Sequence, residues 1–127
     1  MNALGASWAA AYTSPPVPSA AATGDFTGRV AIVTGAARGL GRAAAARLHE
    51  RGAFVAVNVR HASRAADVAR SIGPRALGVA ADVAADDGPA SIVKQTLDQF
   101  GRIDILINNA ALPLTTRFEG ISAAEWR

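Results

Sequence analysis

An apolar run, Val30-Ala31-Ile32-Val33, stops at Thr34-Gly35, and two more glycines follow at Gly39 and Gly41 before an alanine-rich stretch. No other feature constrains the fold as much as this G-x-x-x-G-x-G spacing between a short strand and a helix. Glycines let backbone N–H groups come close to a phosphate, and the helix N-terminus adds partial positive charge. Glycines also mark ordinary turns, so the spacing acquires meaning only from the chain around it.

Downstream, apolar runs alternate with helical patterns. Strands are predicted at residues 30–34, 54–59, 76–80 and 103–107. The second, Phe54-Val55-Ala56-Val57-Asn58-Val59, is nearly continuous in apolarity, as a parallel strand buried on both faces should be. Between the strands, a helix over 40–51 ends at Gly52, and Ser63 caps a second over 64–72 that ends at Gly73-Pro74. Asp86 or Asp87 caps a third, with Pro89 in its first turn, Ile92, Val93, Thr96, Leu97 and Phe100 on one face, and Gly101 at its end. Ser122 begins a fourth after a loop containing Pro113. This alternation predicts an α/β fold with a doubly wound parallel sheet. Such sheets bind ligands at the carboxyl ends of their strands. Those ends carry Thr34-Gly35, Val59-Arg60, Asp82-Val83 and Asn108-Asn109.

The 127 residues are enough for one modest domain, and half of them are hydrophobic, so a core can form. There is no cysteine, which removes disulfides and thiolate metal sites and fits a reducing, cytoplasmic setting. His49 and His61 are isolated and make no metal site, and no apolar run approaches the roughly 18 residues of a membrane span. Residues 1–24 carry no charged side chain and are rich in Ala, Ser, Pro and Gly. Residues 1–25 are therefore expected to be a disordered extension and 26–127 the folded region, with Trp8 and Tyr12 offering at most a weak docking element.

Charge is unevenly distributed. Residues 36–75 hold eight arginines against Glu50 and Asp67, a net +6, whereas residues 76–127 are net −3. Positive charge around a glycine turn suits a bound anion, and nucleic acid is a second reading. Phe54 is the one aromatic residue in the basic region, which argues against nucleic acid. Most of these arginines are expected on solvated helix faces.

Thr34-Gly35-Ala36-Ala37-Arg38-Gly39-Leu40-Gly41, Asp82-Val83 and Asn108-Asn109-Ala110 together resemble the short-chain dehydrogenases/reductases. The stretch from Phe100 to Ala110 is especially similar to that family, and 3-oxoacyl-thioester reductases are nearest in style. The resemblance covers about residues 26–127 and implies an NAD(P)-binding Rossmann domain, here a Rossmann-like doubly wound sheet of strand order 3-2-1-4 truncated after the fourth strand. It assigns Gly35, Arg38, Gly39 and Leu40 to the pyrophosphate and ribose, Asp82 to the adenine amino group and Val83 to the ring. It places Asn109 and Ala110 near the nicotinamide-side ribose. Asp104, Asn108 and Asn109 are implied as stabilisers of the central sheet as well. Where the family has glycine after Asn-Asn-Ala, this chain has Ala111, a methyl group close to the cofactor path. Full-length relatives are implied to be homo-oligomers.

Cofactor choice has a physical basis. NAD sites place an acid at the end of the second strand to accept the ribose 2′-OH. That position holds Val59, Arg60 follows, and no carboxylate occurs between Glu50 and Asp67. Arg38 and Arg60 can instead face a 2′-phosphate with paired hydrogen bonds, which favours NADP(H) over NAD(H). The competing reading is that either arginine is simply solvent-exposed; for Arg60 alone the two readings are about even, and the missing acid tips the balance.

The family's Ser-Tyr-Lys set, with its Tyr-x-x-x-Lys spacing, is not in this sequence. Tyr12 is followed four residues later by Pro16, and Lys94 is preceded four residues earlier by Ala90. The expectation is therefore the N-terminal, cofactor-binding part of a longer NADP-dependent oxidoreductase, with no catalytic residue of its own. The alternatives are a non-catalytic nucleotide-binding module and a truncated product that does not fold stably.

Overall fold

Val30–Val33 is β1, and all four of its residues are buried. β-branched side chains suit the pleat, and a strand covered on both faces needs no polar alternation. The other strands are β2 (Phe54–Val59), β3 (Ala76–Ala80) and β4 (Ile105–Ile107). They form one parallel sheet, as the alternating sequence predicts, in the order β3-β2-β1-β4 that the family resemblance implies. The helices between them are α1 (Gly39–Glu50), α2 (Ala62–Ile72) and α3 (Gly88–Phe100). This computed structural model describes residues 25–112 and 117–125. The readings made for residues 1–24, including Trp8 and Tyr12, and for Pro113 lie outside the described residues.

The sheet has a core on each side. On one side Ala31, Val33, Val55, Val57 and Val59 pack with Ala45 and Leu48 of α1 and Ala65, Val68 and Ala69 of α2. Small alanines let both helices lie close to the strands. On the other, Ile32, Ala56 and Val79 pack with Ile92 of α3, and Phe54 meets Phe100 at 5.3 Å between ring centroids. Among the described residues β4 pairs only with β1, and its Leu106, opposite Ile32 in register, is 58% exposed.

Several local predictions change. α2 starts at Ala62 with His61 as N-cap and no side-chain cap, so Ser63 lies inside the first turn instead of capping it. Asp87 is the N-cap of α3, but without a side-chain hydrogen bond. On α3, Ile92 and Thr96 are buried, whereas Val93 is 42% exposed because the helix lies over β2 and β3, away from β4. β4 begins at Ile105, and Asp104 just before it already joins β1, its N–H donating to Val30 O at 2.8 Å while its carboxylate accepts the Val30 N–H. After Ser122 there is one described turn. Ser122 N–H donates to Glu125 Oε2 at 2.9 Å and the Ser122 hydroxyl accepts the Glu125 N–H at 3.3 Å, the reciprocal pattern of a capping box.

Candidate functional site

Register sets the site. Val33 lies opposite Val57 and Ile107, and Val59 opposite Ala80, so all four strands end at one edge of the sheet. The turns leaving those ends enclose an open cleft of about 880 Å³. Its lining includes Gly35, Arg38, Gly39, Arg60, Asp82, Val83, Asn109 and Ala110, eight of the nine residues singled out from sequence. The ninth, Leu40, sits in the first turn of α1 with 79% exposure and does not line the cleft. Ala111 lines it too, at the position where a glycine was expected.

The glycine turn is tightly constrained. Gly35 has φ +63°, a conformation costly for other residues, and a Cβ there would lie 2.8 Å from Ala110 Cα. Gly39, φ +60°, has nothing within 4 Å of where a Cβ would point. A ligand can therefore approach this backbone without meeting a side chain. α1 begins here with no side-chain cap and no acid in its first turn. Its leading N–H groups have no partner within the helix, as at any helix start.

Asn109 fastens the turn to β4. Its Nδ2 donates to Thr34 O at 3.0 Å and Gly35 O at 3.2 Å. Thr34 Oγ1 accepts the Asn109 and Ala110 N–H groups, at 3.0 Å each. Asn109 thus has the structural role implied for it, while still lining the cleft. Asp104 is purely structural: it lies at the opposite end of β4, where it accepts from Val30 N–H at 2.8 Å and Arg102 Nε at 2.9 Å. Burial pushes its carboxyl upward. The bonds from Arg102 and Val30, with the Arg102 charge, outweigh burial and hold it below the usual carboxylate range.

On the β3 side, Asp82 Oδ1 accepts the Ala84 N–H at 2.9 Å, and Val83 is half-buried beside it. Among the described residues Asp82 Oδ2 has no hydrogen-bond partner and remains available to a donor. On the β2 side the arginines divide sharply. Arg42 donates to Ser71, Arg47 to Glu50, Arg70 to Asp67, and Arg75 to the His49 carbonyl. Arg51 lies 5.6 Å over the Phe26 ring. Of the eight arginines in residues 36–75, three remain: Arg38, Arg60 and Arg64. All three line the cleft, and among the described residues none of their guanidinium groups has a partner.

Arg64, His61 and Asn58 also line the cleft and were not singled out from sequence. Arg64 follows Arg60 by four residues, a spacing that was legible once the start of α2 was known to lie at Ala62. Asn58, inside an apolar strand, carried no signal of its own beyond being polar there.

Among the described residues no group of His, Cys, Asp and Glu could hold a metal ion, and no helix is long and apolar enough to cross a membrane. The arrangement suits an elongated anionic ligand: uncapped helix starts, open glycine backbone, three unpaired guanidinium groups, and one carboxylate at the far wall. An adenine dinucleotide is a ligand of this shape and charge, and parallel sheets of this type bind such ligands at their strand ends.

Comparison with known proteins agrees with this geometry. The model of the short chain dehydrogenase family matches residues 29–127. A 3-oxoacyl-acyl-carrier-protein reductase of Synechocystis sp. is 43% identical over 106 residues, covering 80% of this chain and 43% of its own. A cis-4-hydroxycyclohexanecarboxylate dehydrogenase of Sinomonas cyclohexanicum is 42% identical over 107 residues, with 80% and 42% covered. The crystal structure of a 3-ketoacyl-(acyl-carrier-protein) reductase from Brucella melitensis complexed with NADH superposes with a TM-score of 0.72 at 36% identity, covering 80% of this chain and 42% of that one. The chain thus spans about two-fifths of the length of these relatives. With its Rossmann-like sheet and the cleft at its strand ends, this chain belongs to the short-chain dehydrogenase family.

Proposed function

We propose that residues 26–127 form the NADP(H)-binding part of a short-chain oxidoreductase that moves hydride between NADPH and a carbonyl or alcohol carbon. The three unpaired guanidinium groups at Arg38, Arg60 and Arg64 carry the choice of NADP(H). No carboxylate stands at the end of β2 to accept a ribose 2′-OH. A 2′-phosphate placed among these arginines gains charge-assisted hydrogen bonds. The Brucella relative was crystallised with NADH, so the preference rests on this chain's own residues.

In this reading the Gly35–Leu40 backbone and the start of α1 hold the pyrophosphate. Asp82 and Val83 receive the adenine, and Asn109 and Ala110 border the nicotinamide-side ribose. The bound nicotinamide supplies the hydride chemistry; this chain's residues bind and orient the cofactor. The sequence has no Tyr-x-x-x-Lys, so the proton donor that the family uses is not supplied from within these residues. The isolated chain is therefore expected to bind cofactor without turning over substrate.

Titration of the purified chain with NADPH, NADH and adenosine 2′,5′-bisphosphate tests this reading. NADPH and the bisphosphate should bind at least about tenfold more tightly than NADH, a difference of about 1.4 kcal/mol. Equal affinities would remove the 2′-phosphate reading, and no binding at millimolar concentration would remove the cofactor reading altogether.

A further inference from the structure

Asn58 interrupts a strand whose neighbouring side chains are apolar, and it is only 2% exposed. A buried carboxamide destabilises unless its polar atoms are matched. Here all of them are. Oδ1 accepts the Gly35 N–H at 3.4 Å, and Nδ2 donates to Val79 O at 3.3 Å and Ala81 O at 2.9 Å. The Asn58 main-chain carbonyl accepts the Ala36 N–H at 2.8 Å. Asn58 therefore grips the first residues of the glycine turn on one side and the residue before Asp82 on the other.

These side-chain bonds lie outside the strand ladder, which pairs Asn58 with Val79 through the backbone in any case. An apolar residue would fill the same strand position and leave the ladder intact. What the carboxamide adds is directional: an acceptor aimed at the turn after β1 and donors aimed at the segment after β3. An asparagine carboxamide supplies both at once, and the two bonded segments are opposite walls of the cleft.

We propose that Asn58 is a positioning residue that fixes the spacing between the glycine turn and residues 81–83 before ligand arrives. The two ends of the adenosine diphosphate half of a dinucleotide then meet walls already in register, and binding does not have to order them. The consequence for affinity rests on the cofactor reading above; the coupling of the two walls does not.

Amide hydrogen exchange on the full chain and on two variants tests the proposal, with NADPH titration alongside. Asn58→Ala removes both sets of side-chain bonds. Exchange should quicken by about tenfold or more at residues 35–36 and 81–85 together, and β4 and the body of α3 should be unchanged. Asn58→Asp, when ionised, keeps the acceptor for Gly35 and loses the donors, so residues 81–85 should loosen while residue 35 stays protected. For Asn58→Ala the NADPH Kd should rise about tenfold at unchanged stoichiometry, a split that loss of folded protein would not produce. Uniform acceleration along all strands, or unchanged Kd beside local loosening, would overturn the proposal. If Asn58→Ala gives no cooperative melt, the wild-type chain still decides: NADPH should protect residues 35–36 and 81–84 with one concentration dependence, and protection of only one segment is the overturning result. A wild-type chain that binds no NADPH would defeat the cofactor reading, while the exchange patterns of the variants would still judge the coupling.

Discussion

Gly41 packs directly against Asn109: a Cβ on Gly41 would collide with the Asn109 carboxamide and lie 2.8 Å from Gly35 O. Gly41 is buried in the first turn of α1, so here the glycine is required by proximity. It allows α1 to start close enough to β4 for Asn109 to bond both Thr34 and Gly35.

Gly41→Ala should therefore destabilise the chain by about 1–3 kcal/mol, the usual cost of overfilling a packed site. It should also weaken NADPH, since the displaced Asn109 holds the turn. Combining it with Asn109→Ala relieves the collision, so the double variant should lose less stability than the two single losses added together. Denaturant melts of the three variants measure this.

Arg38→Ala with Arg60→Ala should weaken NADPH at least about tenfold, each charge-assisted hydrogen bond to a phosphate being worth roughly 1.5–3 kcal/mol. NADH should change little. Arg64→Ala alone should shift NADPH in the same direction, because Arg64 lines the same cleft and has no ion-pair partner among the described residues. Arg47→Ala, whose partner is the exposed Glu50, is the control and should leave both cofactors unaffected. Parallel titrations with NADPH and NADH read out all four.

Asp104→Asn should cost about 1–3 kcal/mol, because it weakens bonds that join β4 to the foot of β1 through Val30, Arg29 and Arg102. The wild-type carboxyl is held below the ordinary aspartate value of 3.8, so its contribution is complete above that value and is lost as pH falls through the lowered one. Acid unfolding of the wild type should show this loss, and the Asn variant should lack it.

His49 accepts the Arg75 N–H at Nε2, 3.3 Å, while Arg75 donates to the His49 carbonyl at 2.7 Å. Burial and the Arg75 charge push the imidazole below the ordinary histidine value of 6.5, against a smaller upward pull from Glu50. The folded chain thus binds this proton less readily than the unfolded one. Stability is full above 6.5 and falls as pH drops below it, until the lowered value is passed. Thermal melts between pH 7.5 and 5 should show the decline, and His49→Gln should flatten it.

Leu106→Lys should leave the melt nearly unchanged and reduce self-association. β4 is a sheet edge with an exposed apolar side chain, and a charged residue on an edge discourages pairing between copies. Sedimentation at increasing concentration is the measurement.

Element types were readable because each rests on short-range chemistry. The apolar run at Val30–Val33, the glycine after each helix and the alternation of strands with helices survive any detail of packing. Boundaries were less readable. Asp104 was expected inside the fourth strand and stands just before it, where its carboxylate also accepts the Val30 N–H, a contact between residues 74 apart. Ser63 looked like a cap because serine bonds free N–H groups well, yet α2 starts earlier, where the turn after β2 delivers it.

The sequence by itself determined the parallel α/β order, the glycine turn and the absence of an acid after β2, since these depend on residue type and local spacing. Only the tertiary structure decided which arginines are free. Arg38, Arg60 and Arg64 look no different from Arg42, Arg47 or Arg70 in a string of residues. The pairing of a guanidinium depends on which oxygen lies within about 3 Å of it, a distance set by how helices lie on the sheet. Helix α1 carries Arg42 to Ser71, and the strand ends leave Arg38, Arg60 and Arg64 facing an open cleft. The same is true of Asn58, a lone polar residue in an apolar run, whose three side-chain bonds exist only because β1, β2 and β3 end side by side.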